Sequence, residues 1–194
     1  MKLVSVVLAA GSSTRFGGDK LSAPFEGEPL VRHAIRAARA APVDRVIVVC
    51  SPALEIGEWS GVPPVSAVRV ASDALSTSLK AGIAAAGDAD GAFIFLGDMP
   101  LVPHAAAARL ADRIGSHFAA LPRHGGKPGH PVLLSRLAFA EIDHLRGDVG
   151  AGHLLRSRDD VLYLDESDGS VVEDIDRAED LARLEARGRR SDAQ

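Results

Sequence analysis

Residues 3–20 read LVSVVLAAGSSTRFGGDK, an apolar run that leads directly into a loop of small residues. A continuous apolar run is typical of a strand that is covered on both faces of a parallel sheet. Residues 9–11 are Ala-Ala-Gly, so a ligand can approach the backbone closely there, and successive amides in such a loop form an anion site. Arg15 and Lys20 add positive charge. The stretch predicts a first strand that ends in a phosphate-binding loop.

This loop differs from the two best-known phosphate-binding loops. Phe16 stands where a Walker A loop needs its second glycine, and Ser13 interrupts the Gly-x-Gly-x-x-Gly pattern of dinucleotide-binding proteins. A dinucleotide-dependent oxidoreductase is therefore disfavoured. An ordinary surface turn rich in Gly and Ser remains the alternative on pattern alone.

Composition excludes several classes of protein. A length of 194 residues is that of one domain, which we place at residues 1–188 with a flexible tail at 189–194. The net charge of −4, without a basic patch, argues against a nucleic-acid partner. A single cysteine, Cys50, excludes a disulfide framework and a Cys-based zinc site. No apolar run reaches transmembrane length, so we expect no membrane partner and a cytoplasmic location.

Strands and helices alternate in the first half, which predicts a parallel sheet with helices on both faces. Shorter strands in the second half predict an antiparallel addition. The expected strands are 3–8, 45–50, 65–71, 92–96, 118–121, 131–134, 161–164 and 171–172. The expected helices are 30–41, 79–86, 105–114, 137–142, 151–156 and 176–187, the last with a capping box from Asp176 to Glu179 and an end near Gly188.

Acidic residues stand where a metal site is expected. Ligands of such sheets bind beyond the carboxyl ends of strands, and Asp98 follows the apolar strand 92–96. A carboxylate there suits Mg²⁺, although an ordinary turn residue before Pro100 is the alternative. Asp174 and Asp176 fall on one side of an extended segment, and helix capping is the alternative role of Asp176.

Two further regions carry candidate binding residues. Asp73 and Ser78 follow the third strand, where small polar residues also serve as helix caps. His130 lies in the Gly-His-Pro sequence 129–131, and a lone loop histidine is often only structural.

Taken in order, these motifs resemble those of the MobA-like nucleotidyltransferases, the family of the molybdenum cofactor guanylyl- and cytidylyltransferases. The loop at 8–20 resembles the family signature, and residues 97–100, Gly-Asp-Met-Pro, match its metal-binding motif. Residues 174–181 resemble its closing Asp-Ile-Asp-Thr-Pro-Glu-Asp-Leu motif, with Arg177-Ala178 in place of Thr-Pro. The resemblance implies an α/β fold: a three-layer, Rossmann-like nucleotide-diphospho-sugar transferase fold with a mostly parallel mixed sheet.

The resemblance also implies residue roles. The nucleotide-binding residues would be Leu8, Ala9, Ala10, Gly11, Ser12, Ser13, Arg15, Lys20, Asp73, Ser78, Gly82 and Asp98. The acceptor-binding residues would be Gly129, His130, Asp148 and Gly150, and the catalytic residues Arg15, Lys20 and Asp98. Mg²⁺ would be held by Asp98 and Asp176, with Asp174 as the alternative second ligand.

The implied reaction is attack by an acceptor phosphate on the α-phosphorus of a nucleoside triphosphate. Ala10, Gly-His-Pro and the sequence 147–151, Gly-Asp-Val-Gly-Ala, favour the cytidylyltransferases, hence CTP and molybdopterin, with transient contact to a molybdoenzyme or its chaperone. Met99 resembles the guanylyl type instead. The alternatives are a guanylyltransferase of the same cofactor, a sugar- or polyol-phosphate cytidylyltransferase, and a non-catalytic nucleotide-binding module.

Overall fold

Strands and helices alternate along the computed structural model, which describes residues 1–11, 16–71 and 74–191. The strands are β1 (Leu3–Ala9), β2 (Pro24–Phe25), β3 (Glu28–Pro29), β4 (Arg45–Cys50), β5 (Val65–Arg69), β6 (Gly91–Leu96), β7 (Ala119–His124), β8 (Lys127–Pro128), β9 (Val132–Ser135) and β10 (Val161–Asp165). The helices are α1 (Leu30–Arg39), α2 (Leu75–Ala86), α3 (His104–Arg113), α4 (Leu137–Ile142), α5 (Ala151–Leu155) and α6 (Ala178–Ser191). Lys20–Ser22 and Gly169–Val172 form 3₁₀ turns.

One mixed sheet takes in strands from both halves of the chain. Its order is β10-β7-β9-β6-β1-β4-β5, with β8 paired to β7. Strand β9 runs antiparallel to β6 and β7, whereas β1, β4, β5 and β6 are mutually parallel and β10 is parallel to β7. The expected mostly parallel sheet with an antiparallel addition in the second half is confirmed.

Helices cover both faces of the sheet, which gives the three expected layers. Residues of α1, α3 and α6 pack with one set of inward-facing strand residues, and residues of α2, α4 and α5 pack with the other. Strand β1 is buried along its whole length because its alternate side chains enter the two cores: Val7 enters one and Val6 the other. The apolar character of residues 3–8 is thus explained by burial on two faces.

Two predicted elements differ clearly from the structure. The expected strand 171–172 is part of a 3₁₀ turn, in which the Asp168 carboxylate accepts from the Ser170 amide. Helix α2 begins at Leu75 rather than residue 79, since the Thr77 and Ser78 amides already donate to the Ala74 carbonyl.

The last helix also differs from its prediction. It starts at Ala178 and continues through Gly188 to Ser191. The expected capping box is replaced by Asp180, whose carboxylate accepts hydrogen bonds from the amides of Asp176 and Arg177 at 3.2 and 2.9 Å. Within the residues that the structure describes, no helix is long and apolar enough to cross a membrane.

Gly82 sets how closely α2 approaches the sheet. A Cβ at this position would overlap Val6 Cγ1 and would come within 3.2 Å of Val49 Cγ2, and both valines are fully buried. Branched side chains in a packed core have little freedom to move aside. Gly82 therefore has a packing role at the helix–sheet contact, and its assignment to the nucleotide site stays a prediction.

We predict that Gly82→Ala destabilises the protein by about 1–3 kcal/mol, because the added methyl overpacks the core. Urea denaturation followed by circular dichroism measures the change. The matched control is Gly152→Ala in α5, where a Cβ would meet no atom within 4 Å; it should be neutral or stabilising by up to about 1 kcal/mol. Equal stability of the two variants would contradict the packing role.

Candidate active site

Three carboxylates converge at the edge of the sheet where the parallel strands end. Asp98 follows β6, while Asp174 and Asp176 lie in the segment that leads into α6. One oxygen from each side chain lies within 4.8 Å of one oxygen from each of the others. We call these three residues the acidic triad. Hard carboxylate oxygens at this spacing match the ligands that Mg²⁺ and Mn²⁺ use, so the triad fits a divalent cation.

Lys20 is directed into the acidic triad. Its Nζ lies 2.7 Å from Asp98 Oδ2 and 3.7 Å from Asp176 Oδ1, and the residue is buried. The 3₁₀ turn that begins at Lys20 fixes its backbone, since the Asp19 carboxylate accepts from the Ser22 amide. A buried ammonium beside several carboxylates offsets part of their mutual repulsion. The predicted phosphate-binding lysine and the predicted metal ligand Asp98 are therefore in contact.

A backbone hydrogen bond joins the two parts of the triad. The Ile175 amide donates to the Asp98 carbonyl at 3.0 Å, and the Ile175 side chain is fully buried in the core. Asp174 and Asp176 flank this anchor, so their side chains both project toward Asp98. Both candidates for the second metal ligand are thus present, and the structure brings both to the site.

The pKa of the Asp174 carboxyl responds to its surroundings in the triad. Burial raises the pKa of the Asp174 carboxyl above its ordinary value, and the negative charges of Asp98 and Asp176 raise it further. Lys20 acts in the opposite direction but more weakly. Because the residue is exposed to water, solvent screens much of the effect. The charged form of Asp174 is less favoured than that of an ordinary carboxyl group.

The end of β1 lies directly against the end of β6. The Gly97 amide donates to the Leu8 carbonyl at 2.9 Å, and a Cβ on Gly97 would lie 3.2 Å from both Leu8 O and Ala9 Cβ. Glycine at this position therefore permits the close approach of the two strand ends. The small residues Ala9 and Ala10 are buried, whereas Gly11 is exposed with open space around it. The loop that begins there starts next to the acidic triad.

A cavity of about 190 Å³ opens between α2, α5 and the strand ends. It is lined by Leu8, Leu75, Leu79, Ile94, Leu96, Leu121, Pro128, Gly129, His130, Val132, Gly150, Ala151, Gly152 and Leu155. Leu8 stands two residues before Ala10, and Leu96 stands two residues before Asp98. The cavity and the triad therefore share the same edge of the sheet.

Backbone contacts shape the wall of this cavity. A Cβ on Gly129 would overlap the Val171 carbonyl oxygen, which accepts the His130 amide at 2.8 Å. A Cβ on Gly150 would lie 2.6 Å from Leu75 Cδ2. These glycines allow the Gly-His-Pro loop and the start of α5 to close around the cavity.

The other residues predicted for the site are only partly covered by the structure. Ser12, Ser13, Arg15 and Asp73 lie outside the described residues. Ser78 is buried, and its hydroxyl lies 3.5 Å from the Ala74 carbonyl of its own helix. Asp148 is exposed and does not line the cavity, although its neighbour Gly147 accepts the Ser76 amide.

Sequence reasoning missed the apolar wall of the cavity. Leu75 and Leu79 are four residues apart and face the same side of α2, which is a helical signal hidden by the intervening polar residues 76–78. Met99, which resembles the guanylyl type in sequence, is buried in the core.

Comparisons with known proteins agree with this geometry. Residues 5–161 match the family described as MobA-like NTP transferase domain. The chain is 30% identical over 192 residues to the purine catabolism protein PucB of Bacillus subtilis (strain 168), covering 92% of this chain and 93% of that one. It is 36% identical over 167 residues to a probable molybdenum cofactor guanylyltransferase of Thermococcus gammatolerans, covering 80% of each.

A solved structure adds a metal to the comparison. The structure of Rv0371C from Mycobacterium tuberculosis H37Rv, described as a complex with manganese, has a TM-score of 0.77 and 28% identity, covering 96% of this chain and 99% of that chain. The fold and the site thus define a nucleotidyltransferase. The chain belongs to the MobA-like NTP transferase family, which confirms the resemblance and the enzyme class inferred from sequence.

We predict that Asp174→Asn stabilises the metal-free protein at neutral pH. The raised pKa of Asp174 means that its charge opposes folding at neutral pH, and this opposition disappears as pH falls through that pKa. Thermal unfolding in EDTA should give a higher Tm for the variant at pH 7 and a shrinking difference toward acid pH.

The control for this measurement is Asp159→Asn, which removes an exposed carboxylate just before β10, at the opposite edge of the sheet. Its Tm should match that of the unmodified protein at each pH. A lower Tm for Asp174→Asn at pH 7 would show instead that the Asp174 charge stabilises the fold, and that repulsion within the triad is fully offset by Lys20.

Proposed function

We propose that this enzyme transfers CMP from CTP to the phosphate of molybdopterin, in the presence of Mg²⁺ and with release of pyrophosphate. The observation that carries the proposal is the apolar cavity beside the acidic triad. Such a cavity suits a ring system, while Lys20 and a divalent cation held by the triad would suit the phosphates that react. The product would then pass by transient contact to a molybdoenzyme or its chaperone.

The chain's own groups can align and neutralise the reacting phosphates. Lys20 is positioned to donate hydrogen bonds to the triphosphate and to offset the charge of the departing pyrophosphate. Mg²⁺, when held by Asp98 and Asp176, supplies further charge neutralisation on the phosphate oxygens. An acceptor phosphate is already anionic at neutral pH, so no side chain has to remove a proton from it. Catalysis then depends on orientation and electrostatics.

The preference for CTP rests on Ala10. Its methyl group, absent from the Leu-Ala-Gly-Gly form of the signature, is buried at the end of β1 where the loop begins. We infer that this methyl group favours a pyrimidine over a purine. Met99, which resembles the guanylyl type in sequence, counts for the guanylyl alternative.

Guanylyl transfer remains the second candidate. The relative from Thermococcus gammatolerans carries the name of a probable molybdenum cofactor guanylyltransferase. A sugar- or polyol-phosphate acceptor fits less well, because a hydroxyl-rich molecule would lose hydrogen bonds to water in an apolar cavity. Membership of a transferase family removes the support for a non-catalytic module.

Pyrophosphate release tests the proposal. The purified protein is assayed with Mg²⁺ and CTP, GTP, ATP or UTP, together with molybdopterin or its molybdenum-loaded form. We expect release with CTP. Asp98→Ala should lower the rate by a factor of about 10²–10³, the usual effect of losing one transition-state contact, whereas Asp159→Ala should retain full activity.

Each of the other assay results would support one of the alternative functions or contradict the metal site. Release with GTP alone would reverse the interpretation of Ala10 and favour the guanylyltransferase. Release that occurs only when a sugar or polyol phosphate is supplied would show that this molecule, not molybdopterin, is the acceptor. Full activity of Asp98→Ala would contradict the placement of the metal at the acidic triad.

A further inference from the structure

His130 is the one polar side chain among the described residues that line the cavity. The other lining residues contribute aliphatic groups, proline or glycine. A polar group in such surroundings has a disproportionate influence on which ligand binds, because an unpaired polar atom is costly in an apolar site. The state of the imidazole ring therefore matters for substrate choice.

The Ile94 carbonyl determines which ring nitrogen carries the proton. His130 Nδ1 lies 3.2 Å from the Ile94 carbonyl oxygen. A carbonyl oxygen can only accept a hydrogen bond, so Nδ1 is the donor. Nε2 has no hydrogen-bond partner within the described residues. In the neutral ring it is an acceptor.

The surroundings favour this neutral ring. Burial lowers the pKa of His130 below its ordinary value, and this effect outweighs the Ile94 hydrogen bond and the negative charges of Asp98 and Asp174, which act in the opposite direction. His130 lines the cavity and is near enough to Asp98 and Asp174 to be affected by their charges. A ligand that contacts Nε2 is therefore close to the triad.

The backbone of His130 is fixed on both sides. Its amide donates to the Val171 carbonyl, and the Gly129 amide donates to the Pro122 carbonyl, each at 2.8 Å. With Nδ1 also bonded, the imidazole has little freedom to turn. A hydrogen-bonding group held in this way is preorganised, so a complementary ligand loses little entropy on its account.

From these contacts we infer that His130 Nε2 accepts a hydrogen bond from a ring N–H or amino group of the acceptor substrate, and so selects a heteroaromatic acceptor. This inference rests on the proposed function, because it deepens the assignment of the cavity to the acceptor. Pterins carry such N–H donors on a flat ring that the leucine side chains can cover. A sugar or polyol phosphate offers hydroxyl groups but no flat ring to fill the cavity.

Two substitutions separate the roles of the two ring nitrogens. His130→Asn places an amide N–H near the position of Nδ1, so it keeps a donor for Ile94 and removes the acceptor in the cavity. His130→Gln places an amide oxygen near the position of Nε2, so it keeps an acceptor and loses the Ile94 bond. If His130 had only a structural role, His130→Gln, which loses the Ile94 bond, would have a larger effect than His130→Asn.

Binding of a free pterin, followed by the quenching of its own fluorescence, measures the effect without requiring catalysis. We expect His130→Asn to raise the Kd for the pterin about 10- to 100-fold and His130→Gln to stay within a few-fold of the unmodified protein. The Kd for CTP and the Tm should be unchanged in His130→Asn. In turnover with molybdopterin, KM for the acceptor should rise while KM for CTP stays constant.

The outcomes distinguish this inference from the proposed function. Pterin binding that is equally strong in His130→Asn would overturn the role of His130 while leaving the proposed function intact. The expected pterin result without CMP transfer would support the role of His130 and contradict the proposed function. An unmodified protein that binds no pterin would overturn both. A raised Kd for CTP in His130→Asn would place the nucleotide, not the acceptor, in the cavity and overturn the inference.

Discussion

Three carboxylates held within one small volume are the constraint on which the functional edge of this protein depends. Like charges at this separation repel one another, and the pKa of Asp174 is raised first by burial and then by the charges of Asp98 and Asp176. Two interactions oppose this repulsion. The hydrogen bond from the Ile175 amide to the Asp98 carbonyl fixes the backbone, and Lys20 brings a positive charge into contact with Asp98. The site thus keeps more negative than positive charge among its described residues, which suits the binding of a divalent cation.

The architecture explains how distant parts of the chain reach this edge. Strands β1 and β6 are paired side by side and end together, so the loop after residue 9 and Asp98 become neighbours. The reversed strand β9 brings the Gly-His-Pro loop to the same edge, and the turn at Gly169–Val172 supports that loop from behind through Val171. Both the acidic triad and the wall of the cavity therefore combine residues from the two halves of the chain.

Local patterns in the sequence were enough for some of these features. The uninterrupted apolar runs of β1 and β6 predicted buried strands, and the position of Asp98 after such a strand predicted that it lies at the functional edge of the sheet. The pairing of Asp98 with Asp174 and Asp176 depended on the family resemblance, because no local pattern links residues so far apart.

Other features could not be predicted from sequence for physical reasons. The packing role of Gly82 depends on the distance between a helix and two strands, which no helical pattern contains. The expected strand at 171–172 failed because tertiary hydrogen bonds, not β propensity, determine the conformation there. The cavity unites residues from β1, α2, β6, β9 and α5, so its apolar character appears only after the chain has folded.

The central claim is that the acidic triad and Lys20 form the metal and phosphate site of a nucleotidyltransferase. A crystal structure with CTP and Mn²⁺, with data collected to reveal the anomalous signal of manganese, tests this most directly. We expect a manganese peak bound by oxygens of Asp98 and Asp176, with Lys20 contacting the triphosphate. Manganese bound away from the triad, or a triphosphate that does not contact Lys20, would contradict the claim.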